Sequence, residues 1–257
     1  MTATFTDGIA DLLDARHIER TEEIPTDPDP GNYVVIDVLH FSTTVVELLA
    51  NGASYVHVTE ERGEEFAFRA DKPEARIGGG STATYEPAEG YDFFNSPSYV
   101  QGVDVSGRPV SMTSSNGGRA LWSLRAADAD VDVYVGTTTN AAAVAERLRG
   151  DDRPTYLVSA GSKGEEATED HVGAVLLARY LAGEPPADVE RQVFRDVLEV
   201  AKGHDYVDKH EVRRRDVQNY AMAIDSRSVV PHLVGDRLVD VSGEATLGPA
   251  VGDPASD

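Results

Sequence analysis

The sequence predicts an α/β fold in three layers (α/β/α), with a largely parallel, mixed sheet and helices on both of its faces. The first observation is a series of short apolar runs, such as residues 34–36, which are typical of strands buried on both faces. The second is that the chain repeatedly ends such a run in Ser, Thr, Asn or Gly and then enters a helix. Alternating strands and helices imply right-handed crossovers and parallel pairing. An active crevice is then expected at the carboxyl ends of the strands.

Taken in order, residues 1–257 are expected to form one α/β domain with its core at 33–240. The lead-in, 1–32, is expected to be a helix or a strand followed by a loop, with Ile9, Leu12 and Leu13 at helical spacing. Residues 243–257 are expected to be a flexible tail. Strands are predicted at 34–36, 55–58, 76–78, 110–113, 132–136 and 155–158, and on both sides of a turn at 235–236. Helices are predicted at 45–50, 60–70, 120–124, 141–148, 172–180, 187–202 and 207–224. The long loop at 78–100 is of a length that is usually functional or disordered.

The charge of the chain is strongly acidic. It has 45 acidic and 23 basic residues, a formal net charge of -22, and only four of the basic residues are Lys. The acidic residues are spread along the whole chain, which indicates an acidic surface and not an acidic tail. We expect a halophilic protein whose self-repulsion is screened at high salt, although an ordinary acidic protein is the alternative. This charge does not favour nucleic-acid binding.

Several classes of protein are excluded or disfavoured by what the sequence lacks. It has no Cys, which excludes disulfides, thiolate metal sites and a Cys nucleophile. No apolar stretch reaches 18 residues, so no membrane partner is expected. The first residues lack the basic and apolar regions of a signal peptide, so a cytoplasmic location is expected. A homodimer is a further expectation, because dimers are common among enzymes of this size.

Polar turns follow four of the predicted strands. Asp37 ends the strand at 34–36, and Ser42, Thr43 and Thr44 lie at the start of the next helix. Similar turns lie at 114–118, 137–140 and 161–164. Because parallel strands end at one edge of a sheet, these turns are expected to converge on a crevice that binds anions. The alternative is that the hydroxyl groups only cap helices and that Asp37 is a solvated turn residue.

The candidate metal site consists of carboxylates. Asp37 could hold Mg²⁺ together with Glu169 or Asp170, which open a predicted helix, because carboxylates and phosphate oxygens are its usual ligands. The alternative is that Glu169 and Asp170 only interact favourably with the helix dipole. Arg119 would supply local positive charge, and His40 could be a proton donor, an anion contact or a bystander. No nucleotide-binding G-x-x-x-x-G-K-[ST] or G-x-G-x-x-G motif is present, and the His residues do not cluster as in zinc sites.

The combined motifs resemble the ComB family over roughly residues 33–240. They are Asp37-Val38-Leu39 with Ser42-Thr43-Thr44, Asn95-Ser96-Pro97, Ser115-Asn116-Gly117 with Arg119-Ala120, Asn140-Ala141, Ala160-Gly161 with Gly164, and Glu169-Asp170. The resemblance implies an α/β fold and a Mg²⁺-dependent 2-phosphosulfolactate phosphatase of coenzyme M biosynthesis. One departure is His40, which stands where that family usually has Arg.

The turns and the resemblance together predict a Mg²⁺-dependent phosphatase of a small phosphorylated, possibly sulfonated, acid. The predicted catalytic residues are Asp37, Arg119, Glu169 and Asp170, with Asp37, Glu169 and Asp170 also predicted to bind the metal. The predicted substrate- or phosphate-binding residues are His40, Ser42, Thr43, Thr44, Asn95, Ser96, Ser115, Asn116, Gly117, Thr138, Asn140, Gly161 and Gly164. The alternative, which the replacement at His40 suggests, is a phosphorylated-metabolite binding protein of the same fold that has lost catalysis. A third possibility is a purely structural α/β domain.

Overall fold

The described part of the chain, residues 13–243 of a computed structural model, contains ten strands and, besides the helical residues 13–15, seven α-helices. The strands are β1 (His17–Ile18), β2 (Gly31–Ile36), β3 (Tyr55–Thr59), β4 (Arg76–Gly79), β5 (Phe93–Phe94), β6 (Pro109–Thr113), β7 (Val131–Gly136), β8 (Thr155–Ser159), β9 (Pro231–Val234) and β10 (Arg237–Asp240). The helices are α1 (Phe41–Ala50), α2 (Glu64–Asp71), α3 (Gly117–Ala126), α4 (Ala141–Leu148), α5 (Thr168–Leu181), α6 (Asp188–Val200) and α7 (Glu211–Arg215). A π-helical segment, Asp216–Ala221, continues α7.

The strands form one mixed, mostly parallel sheet in the order β1-β8-β2-β7-β9-β10-β3-β6-β4-β5. The first four strands in this order pair in parallel, and so do the last four. The hairpin β9–β10 lies between the two groups and pairs antiparallel with β7 on one side and β3 on the other. The predicted α/β fold with a mostly parallel sheet flanked by helices is therefore confirmed.

The hairpin corrects one expectation about the strand ends. Successive reversals at β7–β9, β9–β10 and β10–β3 give the second parallel group the opposite sense to the first. The strand-to-helix turns therefore do not all lie on one edge of a single parallel sheet. Helices α1 and α3 nevertheless pack with inward side chains of both groups in one apolar cluster, which brings the carboxyl ends of β2 and β6 together.

The core has two apolar clusters, one on each face of the first strand group. Along β2, Val34 and Ile36 pack with α4 and α5, whereas Tyr33 and Val35 pack with α1 and α3. All six residues of β2 are buried, as expected for a strand covered on both faces. This central position of β2 fixes the place of the residue that follows it, Asp37.

Most predicted elements are present with slightly different ends, and two regions differ. The helix predicted at 207–224 is wrong before residue 211, because residues 203–210 form turns. The loop at 78–100 contains the short strand β5, which pairs with β4. The predictions for Ile9, Leu12 and the tail beyond residue 243 lie outside the described residues. Within residues 13–243, no helix combines the length and the apolar character needed to cross a membrane.

Candidate functional site

A polar crevice of about 230 Å³ lies where the loops after β2, β4, β5 and β6 meet. Its lining includes five residues predicted from the sequence: Asp37, His40, Asn95, Ser115 and Asn116. It also includes Arg62, Arg213 and the Gly79-Gly80-Ser81 loop, which the sequence analysis did not assign to the site. A larger cavity of about 370 Å³ next to β8, α5 and α6 is lined by residues such as His171, Val172 and Val197, and none of the predicted site residues lines it.

Asp37 is held between the first turns of two helices. Its Oδ1 accepts a hydrogen bond from the Phe41 amide of α1 (3.2 Å), and its Oδ2 accepts one from the Gly117 amide of α3 (3.0 Å). The helix N-termini and these two donors favour a negative charge at this position. Burial acts in the opposite direction and dominates, so the pKa of Asp37 is raised.

Gly117 is required at the start of α3 because the chain passes very close to Asp37. A Cβ at this position would lie 2.4 Å from Phe41 Cδ1 and 2.9 Å from the Asp37 Cβ. Only a residue without a side chain brings its amide within hydrogen-bonding distance of the carboxylate. The predicted involvement of Gly117 thus takes the form of a backbone contact with Asp37.

Asp170 and Glu169 lie behind Asp37 and are buried. Asp170 Oδ1 accepts from the Val38 amide (2.8 Å), and its Oδ2 accepts from the Gly161 amide (3.0 Å). Burial raises the pKa of Asp170 well above its usual range, and the charges of Asp37 and Glu169 add to this shift. Glu169 forms an ion pair with Lys202, a residue that the sequence analysis did not single out.

Lys202 provides positive charge to this group of carboxylates. Burial lowers its pKa, but Glu169, Asp170 and Asp37 outweigh that effect and the pKa is raised. The ammonium group is therefore charged at neutral pH and compensates part of the negative charge behind the crevice.

The three carboxylates that the sequence predicts as Mg²⁺ ligands are each engaged by other groups of the chain. Within residues 13–243, no group of three His, Asp or Glu side chains is arranged to hold a metal ion. Each carboxylate oxygen of Asp37 and Asp170 accepts a backbone N–H, and Glu169 is paired with Lys202. The Mg²⁺ role stays a prediction.

His40 takes part in a hydrogen-bond network at one side of the crevice. Its Nε2 lies 2.9 Å from Arg213 Nη1 and 3.1 Å from the Tyr206 hydroxyl. Burial lowers the pKa of His40 well below its usual range, and the nearby charges of Arg213 and Lys202 add to this effect. Because arginine can only donate, Nε2 is the acceptor and the ring is neutral. This geometry favours an orienting role over proton donation from Nε2.

Several predicted residues use their polar groups inside the fold and do not line the crevice. Ser42 Oγ accepts from the Asp37 amide and donates to the Val35 carbonyl, and Thr43 Oγ1 donates to the Val38 carbonyl. Buried Thr44 lies on the same turn of α1, and Ser96 Oγ donates to Asp216. The hydroxyl groups of Ser42, Thr43 and Ser96 therefore hold the loops around the crevice, whereas the buried Thr44 Oγ1 has no hydrogen-bond partner among the described residues.

The other predicted turns serve the fold in a similar way. Thr138 Oγ1 donates to the Ala221 carbonyl, and Asn140 Nδ2 donates to the Val229 carbonyl. The Gly161 amide binds Asp170, and the Gly164 carbonyl accepts from Arg20. The turns at 137–140 and 161–164 thus do not line the crevice; they follow β7 and β8, the two strands that flank β2 on either side.

Arg119 is not brought to the crevice. It lies on the exposed face of α3 and pairs with Glu22. The two glycines before it, Gly117 and Gly118, form the buried start of the helix instead. Its predicted catalytic role has no contact that supports it.

Arg62 provides a positive charge at the crevice that the sequence analysis missed. It lies in the turn before α2, and within residues 13–243 it has no ion pair with a carboxylate. Gly80 allows this approach, since a Cβ there would lie 2.8 Å from Arg62 Nη1. The run Gly78-Gly79-Gly80 indicates close packing, but the sequence does not show that Arg62 is the residue that packs there.

Comparison with known proteins gives a consistent result. The family described as 2-phosphosulpholactate phosphatase matches residues 18–234. The chain is 37% identical over 159 residues to a probable 2-phosphosulfolactate phosphatase of Symbiobacterium thermophilum, covering 61% of this chain and 66% of the relative. It is 32% identical over 164 residues to a protein of the same name from Gloeobacter violaceus, covering 63% and 68%.

A third relative of the same name, from Deinococcus radiodurans, is 34% identical over 163 residues, covering 63% of this chain and 66% of the relative. The matched segment therefore spans about two thirds of the length of these relatives. The family match includes every residue named here as lining the crevice. The resemblance drawn from the sequence motifs is confirmed, and the chain belongs to the 2-phosphosulpholactate phosphatase family.

Proposed function

We propose that this chain is a phosphatase acting on a small phosphorylated acid, with 2-phosphosulfolactate as the first substrate to test. The observation that carries the proposal is Asp37, the one carboxylate among the described residues that line the crevice. It lies there beside guanidinium, amide and hydroxyl groups, in a chain whose family is named for this reaction. The relatives above are all named as probable phosphatases, so the comparisons do not favour the non-catalytic alternative.

In the proposed reaction, Asp37 is the general base. A water oxygen attacks phosphorus, the bond from phosphorus to the ester oxygen breaks, and Asp37 accepts a proton from the water. The alkoxide that leaves takes a proton from solvent. Burial raises the pKa of Asp37, which makes it a stronger base than an exposed carboxylate.

The crevice walls supply groups that stabilise phosphate charge. Asn95, Ser115 and Asn116 offer neutral donors, and Arg62 offers a guanidinium that matches the geometry of phosphate oxygens. Phosphoryl transfer depends mainly on positioning and on stabilising charge on these oxygens. A crevice with a polar lining of this kind suits that requirement.

Only the family resemblance supports a role for Mg²⁺ in the proposed reaction. When bound with substrate, it would neutralise phosphate charge. Activity is expected to fall after dialysis against EDTA and to return when Mg²⁺ is added. Activity that survives chelation would remove the metal from the proposal.

A homodimer and a cytoplasmic location also stay predictions. Light scattering of the purified protein tests whether it is a homodimer.

The direct test is phosphate release in molar salt by the unaltered chain and by Asp37→Asn. Loss of a general base is expected to lower kcat by about 10²–10⁴-fold. Asp236→Asn is the matched control, because Asp236 is half exposed and lies in the β9–β10 turn. Thermal unfolding of each variant checks the fold. An Asp37→Asn protein that is folded and as active as Asp236→Asn would contradict the assigned role.

A further inference from the structure

Arg213 is fixed against one wall of the crevice. Its Nη1 donates to His40 Nε2 (2.9 Å) and to Asp216 Oδ2 (3.1 Å). The guanidinium carbon lies 4.9 Å from the centre of the Tyr85 ring and 5.7 Å from that of Phe94. Contacts between a guanidinium and aromatic faces are favourable and limit its freedom. The side chain is therefore held in place before any ligand binds.

Asp216 holds this arrangement together from the first position of the π-helical segment. It is fully buried, and its Oδ1 accepts from Ser96 Oγ (2.7 Å), Ser98 Oγ (2.6 Å) and the Ser98 amide (3.0 Å). Its Oδ2 accepts the hydrogen bond from Arg213 and lies 3.5 Å from His40 Nε2. Asp216 thus connects Arg213 to the loop that carries Asn95, which also lines the crevice.

The two neighbouring arginines behave differently. Arg214 pairs with Asp208, Arg215 lies 4.0 Å from Glu211, and about half of each side chain is exposed. Only Arg213 of this run lines the crevice. The run Arg213-Arg214-Arg215 therefore contains one cation directed to the site and two that belong to the acidic surface.

Arg213 also keeps donors for a ligand. Both hydrogen bonds of the Arg213 side chain are donated by Nη1. Within residues 13–243, neither Nε nor Nη2 of Arg213 has a hydrogen-bond partner. A guanidinium with two N–H groups available on a crevice wall can bind two oxygens of one anion. Its only carboxylate partner among the described residues, Asp216, is behind it and also serves three other donors.

We infer that Arg213 binds an oxyanion of the substrate and that Asp216 is the positioning residue that holds Arg213 in the crevice. This inference rests on the proposed phosphatase function, and it adds a specificity residue that the sequence motifs did not identify. Because the guanidinium is already fixed, it loses no further conformational entropy when the anion binds. The free energy of binding the anion is therefore not reduced by the cost of ordering this side chain.

The test measures KM and kcat for 2-phosphosulfolactate and the affinity for inorganic phosphate in the full chain. Arg213→Gln is expected to raise KM, and the dissociation constant of inorganic phosphate, by about 10–100-fold, the range for loss of a hydrogen bond to a charged group. Arg213→Lys should recover part of this loss. Arg215→Gln, on the same helix but outside the crevice, is the control and should leave both values unchanged.

The positioning role of Asp216 is tested with a double variant. Asp216→Asn is expected to raise KM in the same direction as Arg213→Gln, and the two changes together should be no worse than Arg213→Gln alone. If Asp216 had only a structural role, its effect would add to that of Arg213→Gln, and that result would overturn its assignment.

Different results would contradict the proposed phosphatase function and the proposed role of Arg213. If the unaltered chain releases no phosphate from any ester, the proposed function fails, while calorimetric binding of inorganic phosphate still tests Arg213. If phosphate binding and KM of Arg213→Gln match those of Arg215→Gln, the inference about Arg213 is wrong even in an active phosphatase.

Discussion

Two serines show how far single residues could be predicted. Ser42 and Ser115 both follow a strand and stand at or just before the start of a helix, and both were predicted to bind phosphate. Ser42 turns back to the Val35 carbonyl, whereas Ser115 lines the crevice. The local pattern is the same, and the difference lies in the tertiary surroundings of each loop. Arg62 and Arg213 were missed because their role depends on contacts that are distant in sequence.

His17 is a second residue whose behaviour is set by tertiary contacts. Its Nε2 lies 2.9 Å from Ser159 Oγ, and its ring centre lies 5.1 Å from that of His171. Burial, assisted by His171, lowers its pKa from 6.5 to about 4. Between these pH values the folded protein binds fewer protons at His17 than the unfolded chain. The stabilising contribution of neutral His17 is therefore present above pH 6.5 and is lost as the pH falls towards 4.

We predict that His17→Gln makes the fall in melting temperature between pH 7 and pH 4.5 shallower by roughly 2–4 °C. The raised pKa values of Asp37 and Asp170 act in the opposite sense, but they are common to both proteins and cancel in the difference. Scanning calorimetry at a series of pH values provides the measurement. His204→Gln, which changes an exposed histidine, is the control. Parallel curves for His17→Gln and the unaltered chain would refute the prediction.

At the scale of elements, the sequence predicted strands and helices better than their arrangement. The apolar run of β2 and the helical spacing of α4 are local patterns, and both elements lie where expected. The opposite sense of the two parallel groups is set by where the β9–β10 hairpin inserts, and no local pattern carries that information. The start of α3 shows the same limit, because the contact of Gly117 with Asp37 spans 80 residues of sequence.

Gly117→Ala tests the contact between α3 and the loop after β2. The added Cβ would lie 2.4 Å from Phe41 and 2.9 Å from Asp37, so α3 must move or the two side chains must shift. We expect a loss of about 1–3 kcal/mol in the free energy of unfolding, the range for overpacking a core, together with reduced phosphatase activity.

Gly102→Ala is the matched control for this substitution. A Cβ at Gly102 would meet no atom within 4 Å, so its effect on the free energy of unfolding should stay within about 0.5 kcal/mol. Urea unfolding of both variants gives the comparison. Equal stability of Gly117→Ala and Gly102→Ala would show that the close approach of α3 to Asp37 does not exist in solution.

The charge of the whole molecule predicts that its stability depends on salt. The net charge is -22, and many of its arginines already pair with nearby carboxylates, as Arg153 does with Asp132 and Arg179 with Glu190. Such pairs neutralise charge locally but leave an excess of carboxylates. We expect this excess to repel itself and to lower the stability of the folded chain at low ionic strength.

We therefore predict that the melting temperature rises steeply as KCl is added to a low-salt buffer. The screening length falls from about 30 Å at 0.01 M to about 10 Å at 0.1 M, so most of the rise should occur below roughly 0.5 M. An effect of salt on apolar burial would instead grow steadily with concentration. A variant in which exposed Glu61, Asp71 and Glu89 are replaced by Gln, Asn and Gln should melt higher at low salt and respond less to KCl. A melting temperature that is constant below 0.5 M KCl in both proteins would show that self-repulsion does not limit this fold.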